Sequence, residues 1–232
     1  MYSNENIFNT THQGDVYIKH EFIKTLKNLR ILIVYSNDFY SKCALFYYIL
    51  PSIVTEEGNR LYNIIYSESA TKTLKNVYNS LRILKPELAE ILDMSYIIKV
   101  GRNTKIPFGR LYDFVQINTL SEINSNFDRL IKILEEIEDI ILFHGFSILL
   151  TSTNTRRTDI EFLDYISDNA TFITECNKFV YTDILTLFFD IVLLAREDDI
   201  TFSNHNILEV LHSNVLNIIP GFSIRYEILP HE

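Results

Sequence analysis

Short runs of continuous apolar residues alternate along the chain with segments in which apolar residues recur at helical spacing. The runs are rich in β-branched residues and lack a regular polar alternation, which is typical of parallel strands covered on both faces. They predict strands at Arg30–Tyr35, Leu61–Tyr66, Tyr96–Val100, Tyr112–Ile117 and Asp139–Phe143.

Helices are predicted between these strands, because apolar residues three and four positions apart form one face of a helix. Pro51 is expected to end the helix after the first strand, since the residue before a proline disfavours helical backbone. Ser67 or Ser69 is expected to cap the helix after the second strand, and Ser121 caps a later one. The predicted helices are His20–Asn28, Phe39–Leu50, Thr71–Leu84, Pro86–Asp93, Ser121–Glu136 and Asp159–Ile173.

The C-terminal part is less regular. Phe179–Tyr181 predicts a short strand, Leu185–Ala195 fits either a strand or a helix, and Ile207–Leu229 predicts strands around a turn at Pro220-Gly221. Strands that alternate with helices indicate parallel pairing through right-handed crossovers. The expected fold is therefore an α/β sandwich of three layers, with a mainly parallel sheet, helices on both faces and an antiparallel C-terminal edge.

The composition fits one folded domain of 232 residues, since 47% of them are hydrophobic and only 6 are Gly and 5 are Pro. We expect a flexible polar tail over residues 1–15 and a single domain over residues 16–232. Cys43 and Cys176 lie far apart without metal-ligand spacing, which fits a reducing compartment. No apolar run approaches the roughly 20 residues that a membrane-spanning helix needs. The sequence thus predicts a cytoplasmic protein without a membrane segment.

The charge balance disfavours nucleic acid as a partner. The formal net charge is -9, with 21 Lys and Arg against 30 Asp and Glu, whereas proteins that bind phosphate backbones usually present a basic face. An accessory role on nucleic acid would have to use basic residues on loops. These are Arg102, Lys105, Arg110, Arg156 and Arg157.

Three segments follow predicted parallel strands, where ligands of such sheets bind. They are Ser36–Cys43, Tyr66–Ser69 and Phe143–Ser147. The first keeps the spacing and the lysine of the phosphate-binding pattern G-x-x-x-x-G-K-[ST], but Ser36 and Ser41 replace its glycines and Cys43 its final hydroxyl residue. Lys42 therefore remains as the candidate phosphate ligand. The alternative is a polar turn between a strand and a helix.

The other two segments carry one ionisable candidate each. Glu68 is placed to polarise an attacking water, or else to favour the dipole at a helix start. His144 stands where nucleotide hydrolases place a metal-orienting aspartate, and imidazole is a poor ligand for Mg²⁺. The six histidines show no tight pair spacing either, so we predict no metal site.

Several stretches resemble the RecA/KaiC/RadA group of ATPase cores. Glu56–Val77 (EEGNRLYNIIYSESATKTLKNV) is similar to the segment that follows the phosphate-loop helix. Ile140–Leu150 (IILFHGFSILL) resembles the strand-to-helix segment with the metal-binding aspartate, and Ile219–Ile228 resembles the terminal strands. Tyr96–Arg110 looks closer to a smaller archaeal family of unknown function that shares the core but lacks the phosphate loop.

The resemblance implies a RecA-like fold with degenerate Walker A and B motifs, Lys42 as the phosphate-loop lysine and Glu68 as the catalytic glutamate. The departures at Ser36, Ser41, Cys43 and His144 predict a catalytically inactive domain without a cofactor. Such a domain would bind a protein partner or assemble with itself as a homo-oligomer, and its 14 Tyr and 16 Phe would suit an interface. The alternative is a weak ATPase or nucleotide sensor that binds ATP through Lys42, with Glu68 as base and Asp38 or a neighbour in place of the missing metal ligand.

Overall fold

The computed structural model describes residues 22–54, 59–117, 123–152, 160–197 and 205–227. Within these residues nine strands form one sheet. The strands are β1 (Arg30–Tyr35), β2 (Leu61–Tyr66), β3 (Tyr96–Gly101), β4 (Arg110–Gln116), β5 (Ile140–His144), β6 (Thr171–Asn177), β7 (Ile191–Glu197), β8 (His205–Ser213) and β9 (Ser223–Glu227).

Helices connect most of the parallel strands. After β1, one continuous helical stretch consists of α1 (Asp38–Cys43), a π-helix (Ala44–Ile49) and α2 (Leu50–Val54). The remaining α-helices of the described residues are α3 (Ser67–Leu84), α4 (Pro86–Met94), α5 (Ile123–Glu135) and α6 (Phe146–Ser152). Two 3₁₀-helices, Glu161–Tyr165 and Asp183–Leu187, precede β6 and β7.

The strand order is β4-β3-β2-β5-β6-β1-β7-β8-β9. Strands β1 to β7 are mutually parallel, and the C-terminal hairpin of β8 and β9 adds an antiparallel edge beside β7. Strand β6 lies between β1 and β5, so the carboxyl ends of these three strands meet at the same edge of the sheet.

The two faces of the sheet bury separate apolar clusters. One face packs under α1, the π-helix, α2, α3 and α4, with Phe46 and Leu74 among its buried residues. The other face packs under α5, α6 and the 3₁₀-helices, with Phe143 and Phe146 at its centre. This arrangement is the predicted α/β sandwich of three layers with a mainly parallel sheet and an antiparallel C-terminal edge, so this part of the fold class is confirmed.

Pro51 does not end the first helical stretch, contrary to the prediction. The preceding π-helix is wider than an α-helix, and Leu50 N donates to Leu45 O, five residues back. A proline inside an α-helix lacks an N–H and collides with the carbonyl four residues before it. The wider turn accommodates Pro51, and the chain continues as α2 to Val54.

Two predictions in the C-terminal half are wrong. Where a helix is expected over Asp159–Ile173, the described residues from Ile160 onward contain a 3₁₀-helix and then the start of β6. Phe179–Tyr181 lies in and after a turn instead of a strand. The ambiguous segment Leu185–Ala195 holds the end of a 3₁₀-helix and most of β7. The predicted hairpin around Pro220-Gly221 is confirmed.

Some predictions lie partly or wholly outside the described residues. These are the tail over residues 1–15, the Ser121 cap and the basic pair Arg156-Arg157. Among the helices that are described, none has both the length and the apolar character required to cross a membrane.

Candidate functional site

A cleft of about 130 Å³ opens at the carboxyl ends of β1, β5 and β6. The three predicted segments each contribute residues to its lining. Asp38 and Lys42 come from the first segment, Ser69 from the second, and His144 to Ser147 from the third. The lining is completed by Tyr35, Ala70, Thr73, Leu74, Ile148 and Glu175. The rule that ligands of parallel sheets bind at this edge therefore located the cleft from the sequence.

The segment that resembles a phosphate loop is a helix in this structure. Ser36 and Asn37 alone separate β1 from α1, and Asn37 caps the helix by accepting a hydrogen bond from Phe39 N at 3.0 Å. Ser41 is buried, and its hydroxyl donates to Asp38 O within α1 at 3.0 Å. Tyr40 N also donates to Asn37 O at 3.1 Å, so the amides of Phe39 and Tyr40 are bonded within the start of the helix and not around a ligand.

The candidate phosphate-loop residues are thus separated. Lys42 lines the cleft, whereas Ser36 is exposed to solvent and Cys43 is buried in the apolar cluster beneath the helices. Burial raises the pKa of the Cys43 thiol to about 12, so this side chain is a neutral core residue.

Lys42 is engaged by carboxylates of the protein itself. Its ammonium forms a close ion pair with Glu175 on β6 and lies 3.8 Å from Asp38 Oδ1. Burial acts to lower the pKa of Lys42, but the two carboxylates outweigh it and the pKa is raised. Burial acts to raise the pKa of Glu175, but the Lys42 ammonium outweighs this effect and the pKa is lowered to about 2. Both groups are therefore charged at neutral pH.

A chain of hydrogen bonds fixes the tautomer of His144. The Ser95 hydroxyl donates to Leu92 O at 2.7 Å, so its oxygen can accept from Asn63 Nδ2 at 3.0 Å. The amide oxygen Asn63 Oδ1 then faces His144 Nε2 at 3.1 Å, and an oxygen there requires a proton on Nε2. The neutral ring thus carries a bare Nδ1.

His144 is held as this neutral base. Its side chain is buried and lies parallel to the Phe46 ring of the π-helix, with 6.1 Å between ring centroids. Burial lowers the pKa of His144, and the neighbouring Lys42 adds to this effect, although Glu175 opposes it. Nδ1 lies 3.8 Å from Glu175 Oε2, which is longer than a hydrogen bond.

Glu68, the candidate base, lies on the other side of the α3 start. Its Oε1 is 3.4 Å from Lys99 Nζ and accepts a hydrogen bond from Arg102 N at 3.2 Å. Lys99 is fully buried and donates to Ser67 O at 3.1 Å, and burial lowers its pKa. A side chain at Gly101 would meet Glu68 Oε1 at 2.9 Å. The structure thus directs Glu68 toward β3 and does not bring it into the lining of the cleft.

The remaining basic candidates are spread along one connection. Arg102 and Lys105 lie between β3 and β4, and Arg110 opens β4. None of these three lines the cleft.

Sequence reasoning missed Glu175, the central acid of the site. The helix predicted over Asp159–Ile173 includes the first three residues of β6, and this overlap conceals the end of the strand. Its β-branched residues Thr171, Ile173 and Thr174 are a strand signal that could have revealed the carboxylate near its end.

The contents of the cleft limit its chemistry. Pockets for drug-sized ligands usually measure about 300–1,000 Å³, so 130 Å³ suits a few waters or one small group. Across the described part of the chain, no three His, Cys, Asp or Glu side chains come together as a metal site. The cleft therefore presents an internal ion pair and a neutral imidazole.

Comparison with known proteins extends the description of the fold. No family model matches the chain, and no curated protein matches it. Among solved structures, the Pyrococcus horikoshii OT3 protein PH0250 is similar over 91% of this chain and 97% of its own, with a TM-score of 0.58 and 18% identity. The flagellar accessory protein FlaH from Methanocaldococcus jannaschii covers 90% of this chain and 92% of its own, with a TM-score of 0.49 and 11% identity. At 18% identity, the similarity to the Pyrococcus protein concerns the fold alone.

Proposed function

We propose that this protein is a RecA-like domain without nucleotide turnover that acts by binding a protein partner or by assembling with itself. One contact carries the first half of the proposal: the ion pair between Lys42 and Glu175. The lysine that would meet a phosphate is already neutralised by a buried carboxylate of the same chain.

Phosphate binding would have to break this pair. Removing one partner of a buried ion pair leaves an uncompensated charge, which costs about 3–5 kcal/mol. A triphosphate would also need backbone amides, and those of Phe39 and Tyr40 at the start of α1 already donate to Asn37. The departures at Ser36, Ser41 and Cys43 thus agree with the geometry of the junction between β1 and α1.

Exposed apolar side chains support the second half of the proposal. Leu216 and Ile219, in the connection between β8 and β9, are 88% and 72% exposed. Asn214 N donates to Asp190 O, which places this connection at the amino end of β7, where the 3₁₀-helix residue Leu187 is also exposed. Apolar side chains gathered at one end of a sheet are suited to a protein interface.

Thermal unfolding tests the first half. A ligand that binds the folded state raises the melting temperature by mass action. We expect no rise with millimolar ATP and Mg²⁺. A rise that disappears in Lys42→Ala but persists in Lys105→Ala, a loop lysine outside the cleft, would contradict the proposal and support the nucleotide sensor.

Sedimentation tests the second half. We expect wild-type protein to self-associate with increasing concentration, or else to form a stoichiometric complex with a partner in its native extract. Leu216→Ser combined with Ile219→Ser should abolish either association. Ile83→Ser, which removes an exposed apolar side chain of α3, is the matched control. A chain that forms no assembly, or one whose assembly survives the double substitution, would contradict this use of the connection.

A further inference from the structure

Two buried acceptors at the cleft have no hydrogen-bond partner within the described residues. They are His144 Nδ1 and Glu175 Oε1. Nδ1 bears no proton, because the hydrogen bond to Asn63 Oδ1 places the proton on Nε2. Buried acceptors without donors are rare in folded proteins, and each one requires a physical explanation. Both atoms belong to side chains that line the same cleft.

The charge of the cleft favours a cation. Two carboxylates and one ammonium line it, so the three charged groups sum to one negative charge beside the neutral His144. The three charged groups lie at increasing depth: the side chain of Asp38 is 47% exposed, that of Lys42 14% and that of Glu175 5%. This sign is opposite to the one that a phosphate site requires.

We infer that the cleft is a binding site for a primary ammonium group. His144 Nδ1 lies 3.8 Å from Glu175 Oε2, the oxygen that pairs with Lys42, and the unpartnered Oε1 belongs to the same carboxylate. One nitrogen about 2.9 Å from Nδ1 and from this carboxylate would supply a donor to each group. Ser69 and Thr73 line the same cleft, and a hydroxyl can accept the third N–H. Lys42 already illustrates this preference, since its own ammonium lies against the same carboxylate.

The size of the cleft restricts the ligand further. A volume of about 130 Å³ accommodates methylammonium or the end of a lysine side chain and excludes a nucleotide. The shared chemistry is an R–NH₃⁺ group, supplied either by a small free amine or by a lysine of another protein. The inference is independent of the proposed function, because amines and nucleotides are titrated separately.

Wild-type protein provides the main test. Methylammonium chloride should raise the melting temperature by about 2 °C or more in a saturable manner. Tetramethylammonium chloride at the same ionic strength should not, because it has the charge but no N–H donor. The His144 Cε1–Hε1 signal in a ¹³C–¹H spectrum should shift with methylammonium and follow the same saturation curve.

Two variants and two peptide analogues complete the design. Asp38→Asn should weaken methylammonium binding at least about fivefold, whereas Glu90→Gln, a change of equal charge on the exposed face of α4, should leave it unaltered. N-acetyl-lysine methylamide should bind like methylammonium if the cleft receives a partner's lysine, and N-acetyl-norleucine methylamide should not bind. If only methylammonium binds, a small free amine is the ligand.

Three outcomes would overturn the inference. Equal responses to methylammonium and tetramethylammonium would indicate nonspecific ionic effects. A saturable rise with inorganic phosphate but not with amines would restore the anion site. Saturable stabilisation without any change at the His144 signal would place amine binding elsewhere.

Discussion

Glu175 illustrates how the topology determines contacts at the residue scale. It lies near the carboxyl end of β6, the strand between β1 and β5. Its carboxylate therefore meets Lys42, from the helix after β1, and His144, at the end of β5. One acid thus connects two segments that sequence reasoning could treat only as separate candidates.

The Lys42–Glu175 pair should show strong energetic coupling. Lys42→Met leaves the Glu175 carboxylate buried without a partner, and we expect a loss of about 3–5 kcal/mol in the free energy of unfolding. Lys42→Met combined with Glu175→Leu should cost distinctly less than the sum of the single changes. Urea denaturation of the four proteins of this cycle measures the coupling.

An exposed pair offers the control for this cycle. Arg129, on α5, pairs with Asp113 on β4, and the Arg129 side chain is 61% exposed. Arg129→Met should therefore cost about 1 kcal/mol or less. Additive effects at Lys42 and Glu175 would contradict the buried ion pair.

His144 should make stability depend on pH. Its pKa in the folded protein lies below the ordinary value of 6.5, mainly because of burial. As pH falls through 6.5, the unfolded chain takes up a proton that the folded chain does not, so stability is lost until the lower folded pKa is reached. The decrease in unfolding free energy between about pH 7 and pH 5 should be smaller in His144→Asn than in wild type.

Substitution of a buried residue without a titratable group provides the comparison. Asn206→Ser changes a buried polar residue of β8 and should preserve the wild-type pH dependence. The stability that the Glu175 carboxylate contributes is lost in a separate pH range. Its charge is present above pH 4.5 and is lost as the pH approaches about 2. A wild-type slope in His144→Asn would show that His144 is not the group responsible.

The site was only partly predictable from the sequence, for a physical reason. Lys42 and His144 follow apolar runs that are recognisable as strands, and the edge rule then brings them together. The direction of Glu68 could not be predicted, because it depends on a contact with Lys99 from another strand. Long-range pairing of this kind leaves no local pattern.

At the scale of elements, prediction succeeded where burial dominates. The bounds of β1 and β2 agree with the prediction, since the interior of β1 and all of β2 are buried. It failed at β6, where Glu175 and Asn177 interrupt the apolar pattern although every residue from Thr171 to Cys176 is buried. Buried polar residues of this kind interrupt the run of apolar residues by which a strand is recognised in a sequence.

The junction between β5 and α6 should be intolerant of a side chain. Gly145 has φ +95°, and a Cβ there would lie 2.5 Å from the backbone oxygen of Tyr66. Gly145→Ala combines backbone strain of about 1–3 kcal/mol with a collision against β2. Urea denaturation should therefore show a larger loss than for Gly221→Ala.

Gly221 separates the effect of backbone strain from the effect of the collision. It has φ +87°, but a Cβ there would have nothing within 4 Å. Gly221→Ala should thus cost only the strain of the left-handed backbone. Equal losses at both positions would mean that the contact with Tyr66 relaxes without cost.

At the scale of the whole molecule, the sheet separates two surfaces. The cleft lies at the carboxyl ends of the parallel strands, whereas the exposed Leu216 and Ile219 lie at the amino end of β7. A partner bound through these two residues would leave the cleft open. The proposed function and the ammonium site can therefore operate together.

The sheet should also be graded in stability from its centre to its edges. Strands β5, β6 and β1 have a neighbour on both sides and helices over both faces. Hydrogen–deuterium exchange should therefore be slowest in these strands and faster in β4 and β9, which end the described sheet. Uniform protection across the sheet would contradict this gradient and indicate that only global unfolding exposes the amides.

The hydrogen-bond chain from Leu92 to His144 links a distant helix end to the reactivity of the cleft. The final carbonyls of α4 can only accept, and this polarity orients Ser95, then Asn63, then the imidazole. Ser95 does not line the cleft. A substitution that removes its hydroxyl would nevertheless allow the Asn63 amide to turn over, and the proton of the His144 ring would then move from Nε2 to Nδ1. A substitution more than one strand away from His144 would thereby change Nδ1 from an acceptor into a donor. The cleft would then favour acceptor groups instead of ammonium groups.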